Sequence, residues 1–240
     1  HYLLSDAQSK SFINFGDGSR PTVTPEAIMS WHTQALERVM RRLLERPPIL
    51  HLEKQNRYYL IEGKYYTQRF YEIRQLTSHQ LNQLGACLSV ALVAHWIRES
   101  GAKTVLTVAE PLFEFVTLLK KHVHDVNFII KSSMPGSASF LIEFLKCQNN
   151  KFMLLTDVVC TGDQFRSHFD KLTHLENCSI ATFVDGRKGN LQYITHEKSS
   201  GPHRVNVFTA LRTHVKSFDD MPHEEDAEIL IVDRKTHAPT

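Results

Sequence analysis

Lys151–Gln164 reads KFMLLTDVVCTGDQ, and the fold turns on this stretch. Phe152–Leu155 is a continuous apolar run, too short for a helix and bounded by polar residues. It therefore predicts a strand over 151–157, buried on both faces. Cys160-Thr161-Gly162 follows as a small loop, and GDQFRSHFDKLTHL predicts a helix over 162–175. In open parallel sheets, ligands bind where such loops leave the carboxyl ends of strands. Backbone N–H groups at a helix start lack partners and attract anions such as phosphate. Thr161 adds a hydroxyl, Gly162 admits close backbone approach, and Asp157 suits the hydroxyls of a ribose. The same residues also describe an ordinary turn in which Thr161 or Asp163 caps the helix.

Neighbouring segments repeat the alternation. TVLTVA (104–109), VNFIIK (126–131) and CSIATFVD (178–185) predict further buried strands. PLFEFVTLLKKH (111–122) and SASFLIEFLKC (137–147) predict the helices between them. LQYIT, HRVNVF and EILIVD add strands at the edge or in a hood. The pattern predicts an α/β fold with a central, mostly parallel sheet and helices on both faces.

Ahead of this core, Thr24-Pro25-Glu26 opens a helix that Pro47-Pro48 ends. Its predicted apolar stripe is Ile28, Trp31, Ala35, Val39 and Leu43, and Arg38, Arg41, Arg42 and Arg46 read as a solvated face. Residues 1–48 thus form a lead-in and helix, and 49–240 the main domain, with hood elements near 49–77 and 191–240. Within 49–75 the chain is rich in aromatics, with Gly63-Lys64 as a hairpin turn. SHQLNQLGACLSVALVAHWIRESG (78–101) predicts a long helix capped by Ser78, stopped by Gly101, and burying Cys87.

Composition narrows the function classes. The chain has 240 residues, 42% of them hydrophobic, with 28 Lys and Arg against 26 Asp and Glu. The basic residues are dispersed, so no nucleic-acid or membrane surface is predicted. No apolar run approaches the ~18 residues that would span a bilayer. The four cysteines are far apart without a CxxC pair, which predicts reduced thiols and a cytoplasmic setting. The 14 histidines show no HExxH spacing, so no protein-held metal is predicted. The GxxxxGK[ST] and GxGxxG phosphate motifs are absent as well.

LLTDVVCTGD resembles the phosphoribosyl-diphosphate signature of type I phosphoribosyltransferases. That signature is an apolar strand, two adjacent acids, two apolar residues and a small loop containing Thr-Gly. YYLIEGKYYTQRFYEIRQLTSHQLNQLGACLSVALVAHWI (58–97) is similar to the hairpin, aromatic strand and long helix of the orotate branch, and ATFVDGRKGN (181–190) to its strand ending in Val-Asp-Arg. The resemblance covers roughly 50–195. It implies a phosphoribosyl diphosphate or nucleotide ligand, transfer of phosphoribosyl to or from a nucleobase, Mg²⁺, and a homodimer or larger assembly. By position, Asp157 is implied as the catalytic acid on the ribose. Thr156, Cys160, Thr161, Gly162, Asp163 and Gln164 complete the implied phosphate and ribose site. Lys64 at the hairpin is a further implied contact that equally reads as a solvent-facing turn lysine, Lys131 is the one cation of the shortened loop KSSMPGSAS, and Arg187 reads first as part of a charged turn and second as a residue lining the site.

Several positions depart from the signature. Thr156 stands where the first acid is expected, and Asp163 or Gln164 where a hydroxyl closes the loop. AEPLFEF (109–115) carries Glu110 and Glu114 where small residues and a lysine would meet pyrophosphate. The alternative expectation is therefore a catalytically degenerate fold that senses nucleotides or serves as a scaffold in a larger protein.

Overall fold

A single long sheet carries the apolar runs, and helices cover both of its faces. The computed structural model describes residues 25–53, 57–61, 65–107, 109–130, 144–147, 149–189, 192–198, 201–213 and 228–231. In chain order the elements are α1 (Pro25–Leu44), β1 (Leu50–Leu52), β2 (Arg57–Ile61), β3 (Tyr65–Thr67), β4 (Arg69–Tyr71), α2 (Ile73–Thr77) and α3 (Gln83–Ser100). There follow β5 (Thr104–Thr107), α4 (Phe113–His122), β6 (Asn127–Ile130), β7 (Phe152–Val159) and α5 (Asp163–Phe169). The last strands are β8 (Cys178–Asp185), β9 (Tyr193–Lys198), β10 (Gly201–Arg212) and β11 (Glu228–Ile231).

The main sheet has the order β6-β5-β7-β8-β10-β9, with β9 alone antiparallel. Successive residues of β7 feed opposite faces. Met153 and Leu155 join Val105, Ala181, Phe183, Met40 of α1 and Trp96 of α3 in one cluster. Phe152 and Leu154 join Leu106, Ile180, Phe144 and the α5 residues Phe165 and Phe169 in the other. A strand buried on both sides must be apolar at every position, which is why the sequence shows runs and not alternation. EILIVD falls in the hood: β11 pairs with β2 in a separate three-stranded sheet, order β11-β2-β3. The β2–β3 register of Ile61 against Tyr65 fits the expected hairpin. Its turn at Gly63-Lys64 lies outside the described residues.

Several local expectations are corrected. The inward side of α1 is not the Trp31–Val39 stripe: Trp31 is 48% and Val39 42% exposed, and Ala35 is exposed as well. Met40 and Leu44 are fully buried, with Leu36 and Leu43 packed against their cluster. Both stripes have helical spacing, and packing of α1 on α3 and β10 selects the second. Helix α3 begins at Gln83, not Ser78. Asn82 Oδ1 accepts from Gly85 N at 2.8 Å as its cap, while Ser78 Oγ donates to Glu114 Oε2 at 3.2 Å. Gly101 closes α3 as expected, in the left-handed region at φ 69°. Cys87 is exposed on α3, not buried. Strand β7 runs to Val159, two residues past Asp157, and α5 stops at Phe169. Of the helix expected at 137–147, residues 144–147 are described and are helical. No described helix is long and apolar enough to cross a membrane.

Phe183 is the hinge of the α1–α3–α4 face, fully buried with Trp96 at 6.4 Å and Phe115 edge-on at 5.8 Å between ring centroids. Phe183→Ala is expected to cost about 3–5 kcal/mol of stability. Urea unfolding followed by tryptophan fluorescence measures it, and a loss under 1 kcal/mol would contradict this packing.

Candidate functional site

β5 leads on to β6 at one side, whereas β7 pairs along its other side. The chain order therefore reverses between β5 and β7, and the crevice at their carboxyl ends is where such sheets hold ligands. On the β5 side this crevice is flanked by Thr107, whose buried hydroxyl has no hydrogen-bond partner among the described residues. The short 3₁₀ turn Glu110–Leu112 follows. On the β7 side are Thr156, Asp157 and the loop 160–162.

Thr156 is buried and its Oγ1 donates to Asp157 Oδ1 at 3.1 Å. The neutral residue thus holds the carboxylate beside it, where two adjacent acids would repel. Asp157 is half-buried, and its backbone carbonyl accepts from Thr182 Oγ1 of β8 at 2.9 Å. Cys160 is buried, and Gly162 lies in the left-handed region at φ 82°. The carbonyl of Gly162 accepts from Phe165 N and Arg166 N, starting α5. A side chain at 162 would bring its Cβ to 2.9 Å from Ile194 Cδ1, so glycine is needed for both conformation and space.

The start of α5 is closed by contacts between Thr161, Asp163 and Arg166. Thr161 Oγ1 donates to Asp163 Oδ2 at 2.8 Å and accepts from Asp163 N at 3.3 Å. Arg166 Nη1 donates to Asp163 Oδ1 at 2.9 Å. A carboxylate in the first turn complements the helix dipole, so Asp163 takes the electrostatic role that a bound phosphate would fill. Of the two caps foreseen, Thr161 accepts a backbone N–H, that of Asp163, whereas the Asp163 carboxylate accepts from side chains. The side chain of Gln164 is not among those described, and neither Lys64 nor Lys131 is a described residue.

Beneath the loop lies a buried ion pair. Asp185, 2% exposed at the end of β8, receives Arg187 Nε at 2.8 Å and Nη2 at 2.7 Å. Arg187 Nη1 donates to the carbonyl of Tyr193 at 2.8 Å, and Arg212 Nε approaches Asp185 at 3.6 Å. Burial lowers the pKa of Arg212, and Asp185 counters it. Backbone bonds stitch the same edge: Gly186 N to Val159 O at 2.6 Å and Thr213 N to Asp185 O at 2.9 Å. Arg187, expected as a ligand contact, has these donors turned to the protein and packs under Gly162. The structural part of Asp185 was not foreseen. The signal for it was an acid closing an otherwise apolar strand two residues before an arginine.

The chain matches no family model and no curated relative. Geometry and the sequence pattern are therefore what bear on function.

The donor set does not fit a protein-held Mg²⁺. Asp163 is engaged by Thr161 and Arg166, and Asp185 by Arg187. Among the described residues no three His, Cys, Asp or Glu side chains group around a metal position.

Asp185→Asn leaves the buried Arg187 with one acceptor oxygen and no charge partner, and is expected to cost about 3–5 kcal/mol. Chemical denaturation of the variant checks this. A loss below 1 kcal/mol would show that the pair does not support the loop.

Proposed function

We propose that this chain is a type I phosphoribosyltransferase-like fold, closest to the orotate branch, that binds a ribose 5-phosphate group of a nucleotide or of phosphoribosyl diphosphate without transferring it. The observation that carries the reading is the position of Thr156–Gly162, at the carboxyl end of β7 and beside the reversal of strand order. Asp157 there is oriented by Thr156 and reaches the crevice as a ribose acceptor, while Gly162 permits close backbone approach. The buried Thr107 hydroxyl at the end of β5 has no hydrogen-bond partner among the described residues. Catalysis is disfavoured by charge. Glu110 and Glu114 follow β5 where a transferred pyrophosphate would need cations, and Thr156 removes one acid from the ribose side. Any Mg²⁺ would arrive on the ligand's own oxygens, and the binding function does not depend on it.

A sensing or scaffolding role in a larger protein, as a homodimer or in a larger assembly, follows from binding without turnover. A cytoplasmic location belongs to the same proposal and is supported by four free cysteines. The second reading, an active transferase, is favoured by one observation: Asp157 keeps the position and the partial exposure of the catalytic acid that the resemblance implies.

Calorimetry with nucleoside 5′-monophosphates and phosphoribosyl diphosphate, with and without Mg²⁺, tests the proposal. Binding is expected, and Asp157→Asn is expected to lose it. Asp163→Ser removes a competing carboxylate and is expected to tighten phosphate ligands about fivefold, on the order of 1 kcal/mol for an exposed charge. Absence of binding at millimolar ligand would overturn the reading. Turnover with a nucleobase, abolished in Asp157→Asn, would establish the transferase instead.

A further inference from the structure

The face of α1 turned away from the sheet carries a pattern that neither the fold nor the β7 loop uses. Met40 and Leu44 point inward, with Leu36 and Leu43 packed beside them. A step of four residues advances only about 40° around a helix. Trp31, Ala35 and Val39 therefore form one outward row, and Arg38, Arg42 and Arg46 form a second row beside it. All of them are exposed, Trp31 by 48% and Val39 by 42%. Each row runs about 12 Å along the helix axis. A lone apolar side chain in water is ordinary, but an indole and a valine in line, in register with a row of guanidinium groups, make a surface that gains from being covered.

Charge decides what covers it. None of Arg38, Arg41, Arg42 and Arg46 is in an ion pair with a described residue. Within residues 30–46 the one exposed acid is Glu45, while Glu37 and Arg41 lie on the flank toward Arg212. Two copies of this face would set one arginine row against the other, so pairing of α1 with itself is opposed. A lipid surface needs a wider apolar face than Trp31, Ala35 and Val39 supply, and Glu45 opposes anionic headgroups. A nucleic-acid backbone would answer the arginines and leave Ala35 and Val39 unmatched. An acidic amphipathic helix answers both rows. Its apolar side chains at matching spacing cover the first, and its carboxylates accept paired N–H bonds from the guanidinium groups of the second. Ala35 is small enough to let such a helix approach between Trp31 and Val39.

We infer that the outward face of α1 is a docking surface for an acidic amphipathic helix of another protein. Trp31 is the central apolar anchor, as buried tryptophans are at protein interfaces. Arg38, Arg42 and Arg46 select acidic partners over neutral or basic ones and speed their encounter. The surface stands independently of the ribose 5-phosphate reading, because the β7 loop contributes no residue to it.

Tryptophan emission of the full chain reads the test directly. Of its two tryptophans, Trp96 is 2% exposed, so Trp31 is the one whose surroundings a partner can change. The chain is titrated with a synthetic helical peptide that has leucine at i, i+4 spacing and glutamate elsewhere, and with a twin carrying lysine for every glutamate. The acidic peptide is expected to shift the emission saturably to the blue, and the lysine twin to leave it unchanged. Joint Arg38→Gln and Arg42→Gln, and separately Val39→Asp, are each expected to weaken binding at least about tenfold, read by anisotropy of the labelled acidic peptide. Both variants change exposed side chains and should keep the Tm of the wild type. Asp157→Asn should bind the peptide as the wild type does, which separates this face from the β7 loop. The inference is overturned if the acidic peptide gives no shift, if the lysine twin binds equally well, or if the arginine variant binds unchanged. It is overturned equally if phosphatidylserine vesicles or single-stranded RNA shift the emission where the peptide does not. Binding seen only after Asp219, Asp220, Glu224, Glu225 and Asp226 are neutralised would assign the face to the chain's own acids and end the inference as well.

Discussion

The charge on Asp185 has to be neutralised almost entirely out of water, and the carboxyl edge of the sheet is organised around that requirement. Removing a carboxylate from water costs several kcal/mol unless charged donors replace the lost hydration. Arg187 does this with two short bonds, and its own remaining donor reaches the carbonyl of Tyr193 at the start of β9. The pair therefore ties the end of β8 to the edge strand and forms the floor on which Gly162 rests. Asp185 ends β8 in register with Val159, the last residue of β7. The loop 160–162 is in this way held from below by Arg187 and Ile194.

The two-sided burial of β7 and β8 sets the rest. All eight residues of β8 are buried, including Ser179, Thr182 and Asp185, and each of those three polar side chains is spent on a protein partner. Ser179 Oγ donates to Phe152 O, and Thr182 Oγ1 to Asp157 O, so the polar positions of β8 fasten β7 at both its ends. Such side-chain bonds reinforce the ladder that fixes where Asp157 sits. A parallel sheet with helices on both faces has few places where a polar group can meet solvent, and the carboxyl edge is one of them.

How much of this could be read beforehand depended on whether one segment carried its own signal. Runs such as MLL and IATFV announce buried strands because nothing else tolerates that composition between turn residues, and the order of elements followed. The inward face of α1 was not legible: Trp31 and Val39 make as good a stripe as Met40 and Leu44, and only the neighbours α3 and β10 choose between them. Ser78 and Asn82 are both competent caps four residues apart. The helix starts at the second because Ser78 is drawn to Glu114, 36 residues away. Cys87 looked internal from its apolar neighbours, yet falls on the outward side of α3. At the site, Thr161, Gly162 and Asp163 were visible as a unit, but the mutual bonds that close them are a matter of side-chain direction, which spacing does not encode.

The same closure bears on the phosphate binding proposed for this loop. A loop that holds phosphate strongly leaves its helix-start donors open and keeps acids away, because two anions cannot share one cluster of N–H groups. Here Asp163 accepts from the Thr161 hydroxyl and the Arg166 guanidinium, so a phosphate at this loop would compete with an internal carboxylate for those two donors and meet its charge. On the proposed reading a ligand needs a second point of attachment to overcome that competition, and Asp157, oriented by Thr156, would offer one to ribose hydroxyls. The substitution at Thr156 then has a physical sense. Replacing the first acid relieves repulsion beside Asp157, which favours holding a sugar in place over stabilising the positive charge that would develop on it during transfer. If the proposed reading holds, the residues at 156 and 163, both departures from the signature the sequence resembles, push in the same direction, toward reversible recognition.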